Sequence, residues 1–225
     1  MKLLIIILLM FLFSPLIRAE SILIVGDSHS CGQFGATMVK ELSRKGHRVR
    51  LFCTVSSSAV HWLNGENPKN QICNTSSSAD SDLKPCDELG KIPRLDLILS
   101  RDTYDMAIVA LGTNSLFSSQ AQLNYQNMAE IVALKIPSCF WIAPPHLRPD
   151  QAKESNAETI ALMEKNLLKF YASLENRVSP SCHFLNSLIA TQSGSLGSAT
   201  SDGVHRAAGA GKAWAEAILF QLPIR

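Results

Sequence analysis

The sequence predicts an α/β protein: a three-layer α/β/α sandwich around a five-stranded parallel sheet in the flavodoxin-like order 2-1-3-4-5. Three observations predict it. Ile22-Leu23-Ile24-Val25 and the run 105–111 (Asp-Met-Ala-Ile-Val-Ala-Leu) are short and apolar, as strands buried on both faces of a sheet must be. Between such runs, apolar residues recur at helical spacing, first Phe34, Met38 and Leu42, later Ile160, Met163, Leu167, Phe170 and Leu174. The runs also break into turns rich in Gly, Ser, Asp and Asn. Strands alternating with helices imply a parallel sheet covered on both faces. In that order the ligand crevice opens at the carboxyl ends of the first and third strands.

Taken in order, Ser21–Val25 is the first strand, ending at Gly26-Asp27-Ser28. The first helix ends at Gly46, a C-cap glycine. Residues 48–53 form the second strand, followed by the Ser/Thr-rich loop 54–60. From about 64 to 93 the chain is polar and without periodicity, and it reads as an insertion leaving the core; long irregular stretches are often binding loops. Leu95–Leu99 suggest a short helix. Residues 105–111 are the third strand, running into Gly112-Thr113-Asn114-Ser115, and a helix of about 18 residues follows. Residues 138–143 make the fourth strand, stopped by Pro144-Pro145. Ser155–Glu158 has capping-box form at the next helix. Cys182–Leu185 is the fifth strand. A long loop then reaches Asp202-Gly-Val-His205 ahead of a final helix over about 207–222.

Residues 3–13 are an uninterrupted apolar run behind Lys2, too short to span a bilayer, with Pro15 and a small-residue cleavage site at Ala19. Residues 1–19 therefore read as a signal peptide, and 20–225 as one domain. The whole chain carries 21 Lys+Arg against 19 Asp+Glu. Without Lys2 and Arg18 the balance is even, so nothing points to nucleic acid. Six cysteines in an exported chain read as disulfides, and no Cys/His spacing suits a metal.

The three polar turns, Gly26-Asp27-Ser28, Ser56-Ser57-Ser58 and Gly112-Thr113-Asn114, meet at the switch point of that sheet. Acyl transfer from an ester needs a hydroxyl nucleophile and donors about 3 Å from the developing oxyanion. Ser28 is the nucleophile candidate; its own N–H, an N–H of the second loop and the Asn114 amide are the oxyanion candidates. Asp202-x-x-His205 supplies the base, the carboxylate on Nδ1–H leaving Nε2 free for the serine proton. Each has a bland alternative: Ser28 or Asp202 as helix caps, Asn114 as a turn residue.

These blocks, in this order, resemble the SGNH or GDSL hydrolase superfamily: Gly26-Asp27-Ser28, Gly112-Thr113-Asn114 and Asp202-Gly-Val-His205 followed by Ala207-Ala208-Gly209. The resemblance spans the mature chain. It implies hydrolysis of esters or thioesters through an acyl-serine without metal or organic cofactor. Ser28 would be nucleophile, His205 base, Asp202 its orienting carboxylate, and Ser28, Ser57 and Asn114 the oxyanion hole. The second block departs from the family, with Ser57 where a glycine is usual; Ser115 also stands where Asp is common.

The leading expectation is an exported esterase, secreted or periplasmic and monomeric, that removes small acyl groups, O-acetyl first, from a carbohydrate. It would have no membrane anchor. The polar 64–93 stretch and nearby Trp62 suit sugar, with His61, Trp62 and His146 as cleft walls. The alternatives are a lysophospholipase or thioesterase of the same superfamily, and a catalytically silent module that binds glycans. His29, His47 and His183 read as packing or surface residues. Strand positions suggest disulfides Cys139–Cys182 and Cys31–Cys53, and the short loop Cys73–Cys86; six cysteines permit fifteen pairings.

Overall fold

The computed structural model describes residues 19–116, 119–192 and 199–224; the expected signal peptide falls almost wholly outside them. The strands are β1 (Ser21–Gly26), β2 (Arg48–Thr54), β3 (Cys73–Ser77), β4 (Lys84–Pro85), β5 (Met106–Ala110), β6 (Ser138–Ile142) and β7 (His183–Leu185). The helices are α1 (Gln33–Arg44), α2 (Ala59–Asn64), α3 (Leu95–Arg101), α4 (Ser119–Lys135), α5 (Glu154–Val178), α6 (Leu188–Thr191) and α7 (Ala208–Gln221).

The strands form one sheet in the order β4-β3-β2-β1-β5-β6-β7. The expected five-stranded, all-parallel sheet is therefore incorrect: the sheet has seven strands and is mixed. β2, β1, β5, β6 and β7 run parallel, but β3 pairs antiparallel with β2, and β4 with β3. The two extra strands come from the polar stretch at about 64–93. Cys73-Asn-Thr-Ser-Ser77 has no apolar alternation to betray a strand. Its pairing rests on backbone bonds to the edge of β2, reinforced by Thr75 Oγ1 donating to the Leu51 carbonyl at 2.7 Å. An uncovered β2 would offer unpaired N–H and C=O groups, and the hairpin closes that edge.

Alternation along β1 explains the layers. Leu23 and Val25 face one core, built with Trp62 of α2, Tyr125, Met128 and Val132 of α4, and Leu167, Phe170 and Leu174 of α5. Ile22 and Ile24 face the other, with Phe34, Met38 and Leu42 of α1 and Trp214 and Ile218 of α7. Every β1 residue is buried, as the run of apolar side chains required. Three disulfides join Cys31 to Cys53, Cys73 to Cys86 and Cys139 to Cys182, tying the turn after β1 to β2, β3 to the residue after β4, and β6 to the residue before β7. Among the described residues no helix is long and apolar enough to cross a membrane, and no group of three His, Cys, Asp or Glu is placed to hold a metal ion.

Candidate active site

The first turn is built for close approach. A Cβ on Gly26 would lie 1.9 Å from Ser30 Oγ and 3.2 Å from the Ala110 carbonyl, so the end of β1 excludes any other residue. The N–H groups of Ser30 and Cys31 both donate to the Asp27 carbonyl, at 3.0 and 3.2 Å, and this tight turn carries the chain to α1. Ser28 is partly exposed at its crest, while Asp27 and His29 on either side are buried. The Asp27 carboxylate accepts the His29 N–H at 3.0 Å. Burial pushes Asp27 up to about 7, against the opposing pull of that N–H and of His205.

The other two turns meet beside it. Gly112 lies at φ 150°, and a Cβ there would strike the Pro144 ring at 2.8 Å. Beyond it, residues Thr113–Ser115 form a 3₁₀ turn that leaves Asn114 exposed. Asn114 Nδ2 donates to the Ser57 carbonyl at 3.0 Å, linking the third turn to the second. A primary amide has two N–H donors, so one hydrogen remains for a ligand. The Ser57 N–H, an expected oxyanion donor, is instead spent on the Thr54 carbonyl at 3.2 Å, and its hydroxyl also donates to Thr54, at 2.9 Å. Ser56, one residue earlier, occupies the left-handed region at φ 61°, the conformation that favours glycine.

The candidate base, His205, comes from the far end of the chain. His205 Nδ1 meets Asp202 Oδ2 at 2.5 Å, and Asp202 Oδ1 accepts the N–H groups of Val204 and His205 at 2.8 and 2.9 Å and the Thr200 hydroxyl at 2.8 Å. Burial works to raise the Asp202 pKa, yet the His205 hydrogen bond and the two N–H donors together hold it well below the usual carboxylate range. Asp202 thus caps its own turn. It does not cap α7, whose N-cap Ala207 receives no side-chain bond. The Arg148 N–H donates to the Gly203 carbonyl at 2.7 Å, which holds this loop over the carboxyl end of the sheet. His205 reaches the residue after Ser28: its ring centroid is 5.2 Å from that of His29. A cavity of about 530 Å³ opens beside His205, lined by Asn114 and Asp202 and by the apolar Leu116, Met163 and Val204.

The three expected wall residues fare differently. Trp62 is fully buried and is corrected to a core residue: α2 turns it inward, where Nε1 donates to Ser57 Oγ at 3.3 Å and braces the second turn. His61 is half-buried and occupied in a capping box, its Nδ1 accepting the Ser58 N–H at 3.0 Å; burial lowers its pKa. His146 follows β6 at the carboxyl edge, and its Nδ1 bonds Glu164, whose other oxygen accepts the Leu147 N–H at 2.7 Å. Nothing in the sequence marks Glu164, Leu116 or Val204 as residues of the site. Helical spacing marked Met163 only as part of an apolar stripe.

No protein-family model and no curated protein sequence matches the chain. Solved structures do resemble it. A Slackia heliotrinireducens protein ascribed to the SGNH hydrolases superposes with a TM-score of 0.61 at 15% identity, covering 89% of this chain and 97% of the other. An acetylxylan esterase from Geobacillus stearothermophilus gives 0.58 at 10% identity over 93% and 98%. An aryl esterase from M. smegmatis gives 0.59 at 15% identity over 90% and 98%. At these identities the likeness shows the fold, and that fold is the one of the SGNH hydrolases.

Proposed function

We propose that the protein is a serine hydrolase of carboxylic esters, with Ser28 as nucleophile, His205 as general base and Asp202 as its orienting carboxylate. The observation that carries this reading is the His205–Asp202 pair, with the His205 ring 5.2 Å from that of His29, the residue after Ser28. With Nδ1–H held by Asp202, Nε2 is the atom left to take the serine proton as Oγ attacks the ester carbonyl. The tetrahedral oxyanion is met by the Ser28 N–H, the second hydrogen of Asn114 Nδ2 and an N–H of the second turn. Collapse passes the proton from His205 to the departing alcohol. Water, deprotonated in turn by His205, then frees the acid from Ser28. Among the structural relatives, the Geobacillus acetylxylan esterase has catalytic mutants that replace a serine and an aspartate by alanine, and its acetylated-polymer substrate supports an O-acetyl carbohydrate here. The apolar run 3–13 and three disulfides support action outside the cytoplasm.

A second reading has its own support. Leu116, Met163 and Val204 give the 530 Å³ cavity an apolar wall, and an acetyl group occupies little of that space, so a longer acyl chain is the competitor. Nitrophenyl esters from acetyl to decanoyl decide between them. The acetylesterase reading expects kcat/KM to fall with chain length; a profile that rises defeats it in favour of the lipid or thioester reading. Ser28→Ala abolishes turnover of all of them, and retained turnover in that variant rejects the serine mechanism itself.

A further inference from the structure

His29, the residue after Ser28, has no part in the steps above. It is only 5% exposed, and its Nε2 is buried without a hydrogen-bond partner among the described residues. Its ring stands edge-on to Trp214, with centroids 5.4 Å apart at 89°, and lies tilted by 46° against His205 at 5.2 Å. Trp214 in turn stacks on Phe34 at 4.0 Å. An aromatic column therefore runs Phe34–Trp214–His29–His205, from α1 through α7 to the base. Its root is anchored, because Trp214 Nε1 donates to Ser187 Oγ at 3.0 Å and that hydroxyl donates to the Ala143 carbonyl at 2.6 Å. The helices that carry it pack closely: a Cβ on Gly211 would come within 3.3 Å of the Gln33 Cβ.

The hydrogen bond to Asp202 sets the tautomer of His205 but leaves the ring free to rock about that bond. A flat, immobile partner against its flank removes that freedom. Burial, with help from His205 and Arg206, pulls His29 down to about 3, so it stays neutral and adds no charge to oppose the imidazolium that forms on His205. We propose that His29 is a positioning residue: the last stone of a buried aromatic column, it presses the His205 ring into line with Ser28. The proposal rests on the assignment of Ser28 and His205 as nucleophile and base.

Two substitutions test it. His29→Ala removes the ring; His29→Phe keeps a ring and deletes the unpartnered nitrogen, with a cavity of about 10 Å³ bordered by Asp27, His29 and Trp214 to take the added atoms. The expected result is a fall in kcat of about 10²-fold for His29→Ala with KM unchanged, and recovery of most of that loss in His29→Phe. Proton NMR gives a readout independent of turnover: the His205 Nδ1–H resonance, sharp in the wild type and in His29→Phe, broadens in His29→Ala. An alanine variant with wild-type kcat and a sharp resonance overturns the proposal. So does a phenylalanine variant as impaired as alanine beside an active His29→Gln, since a ring nitrogen would then be the working part. If the wild type hydrolyses no ester, the proposed function falls, while the NMR comparison still decides whether His29 positions His205.

Discussion

Two carboxylates, Asp202 beside His205 and Asp27 beside Ser28, have surroundings that set them apart. Asp202 has a side chain 43% exposed and is satisfied by two N–H groups, a hydroxyl and the imidazole; it remains ionised. Asp27 is buried, accepts one N–H, and holds its proton up to about 7. The same functional group is held ionised at Asp202 and keeps its proton up to about 7 at Asp27. Charge for orienting the proposed base is thus supplied where water and donors can stabilise it. The buried carboxyl serves the turn that presents Ser28.

That contrast is open to attack from both sides. The largest effect belongs to Asp202→Asn, which should lower kcat by about 10⁴-fold through loss of the correct tautomer, while the melting temperature stays near wild type because an exposed ion pair contributes little to stability. A large drop in melting temperature with activity retained would reverse the roles assigned to the two acids. Next comes Asn114→Ala, expected to raise the barrier by about 3 kcal/mol, read as kcat on a nitrophenyl ester, as for any lost oxyanion donor. Unchanged kcat would remove Asn114 from the site.

The smallest and most specific effect is on stability. A carboxyl whose folded pKa lies above its unfolded value of 3.8 keeps its proton in the folded state after the unfolded chain has released it. Its contribution to stability is therefore whole below about 4 and declines as pH rises toward about 7. Urea midpoints across that range should fall in the wild type and flatten in Asp27→Asn. Identical slopes in both proteins would show that Asp27 is not the group responsible.

The same contrast between local and distant causes explains what the sequence made legible. Buried parallel strands announce themselves by composition alone, since Ile22–Val25 and the run ahead of Gly112 must be apolar on both faces. Asp202 and His205 are three residues apart, so their pairing needs only one turn. The β3–β4 hairpin was hidden because its cause lies in another segment: the open edge of β2 recruits a polar strand that no alternation marks. Trp62 was misread for a similar reason, as a polar loop precedes it while the core that swallows it is built by α4 and α5. The left-handed φ of Ser56 escapes sequence reading because it depends on how the whole turn closes. The burial of His29 depends on Trp214, which arrives at the other end of the chain.

The central claim is that Ser28 and His205, far apart in sequence, meet over the carboxyl edge of one sheet. Reaction with a fluorophosphonate, followed by peptide mass mapping, measures that meeting directly. The account predicts a single adduct on Ser28 in the wild type, forming far more slowly in His205→Ala. No adduct on Ser28, or equal rates in the two proteins, would contradict it.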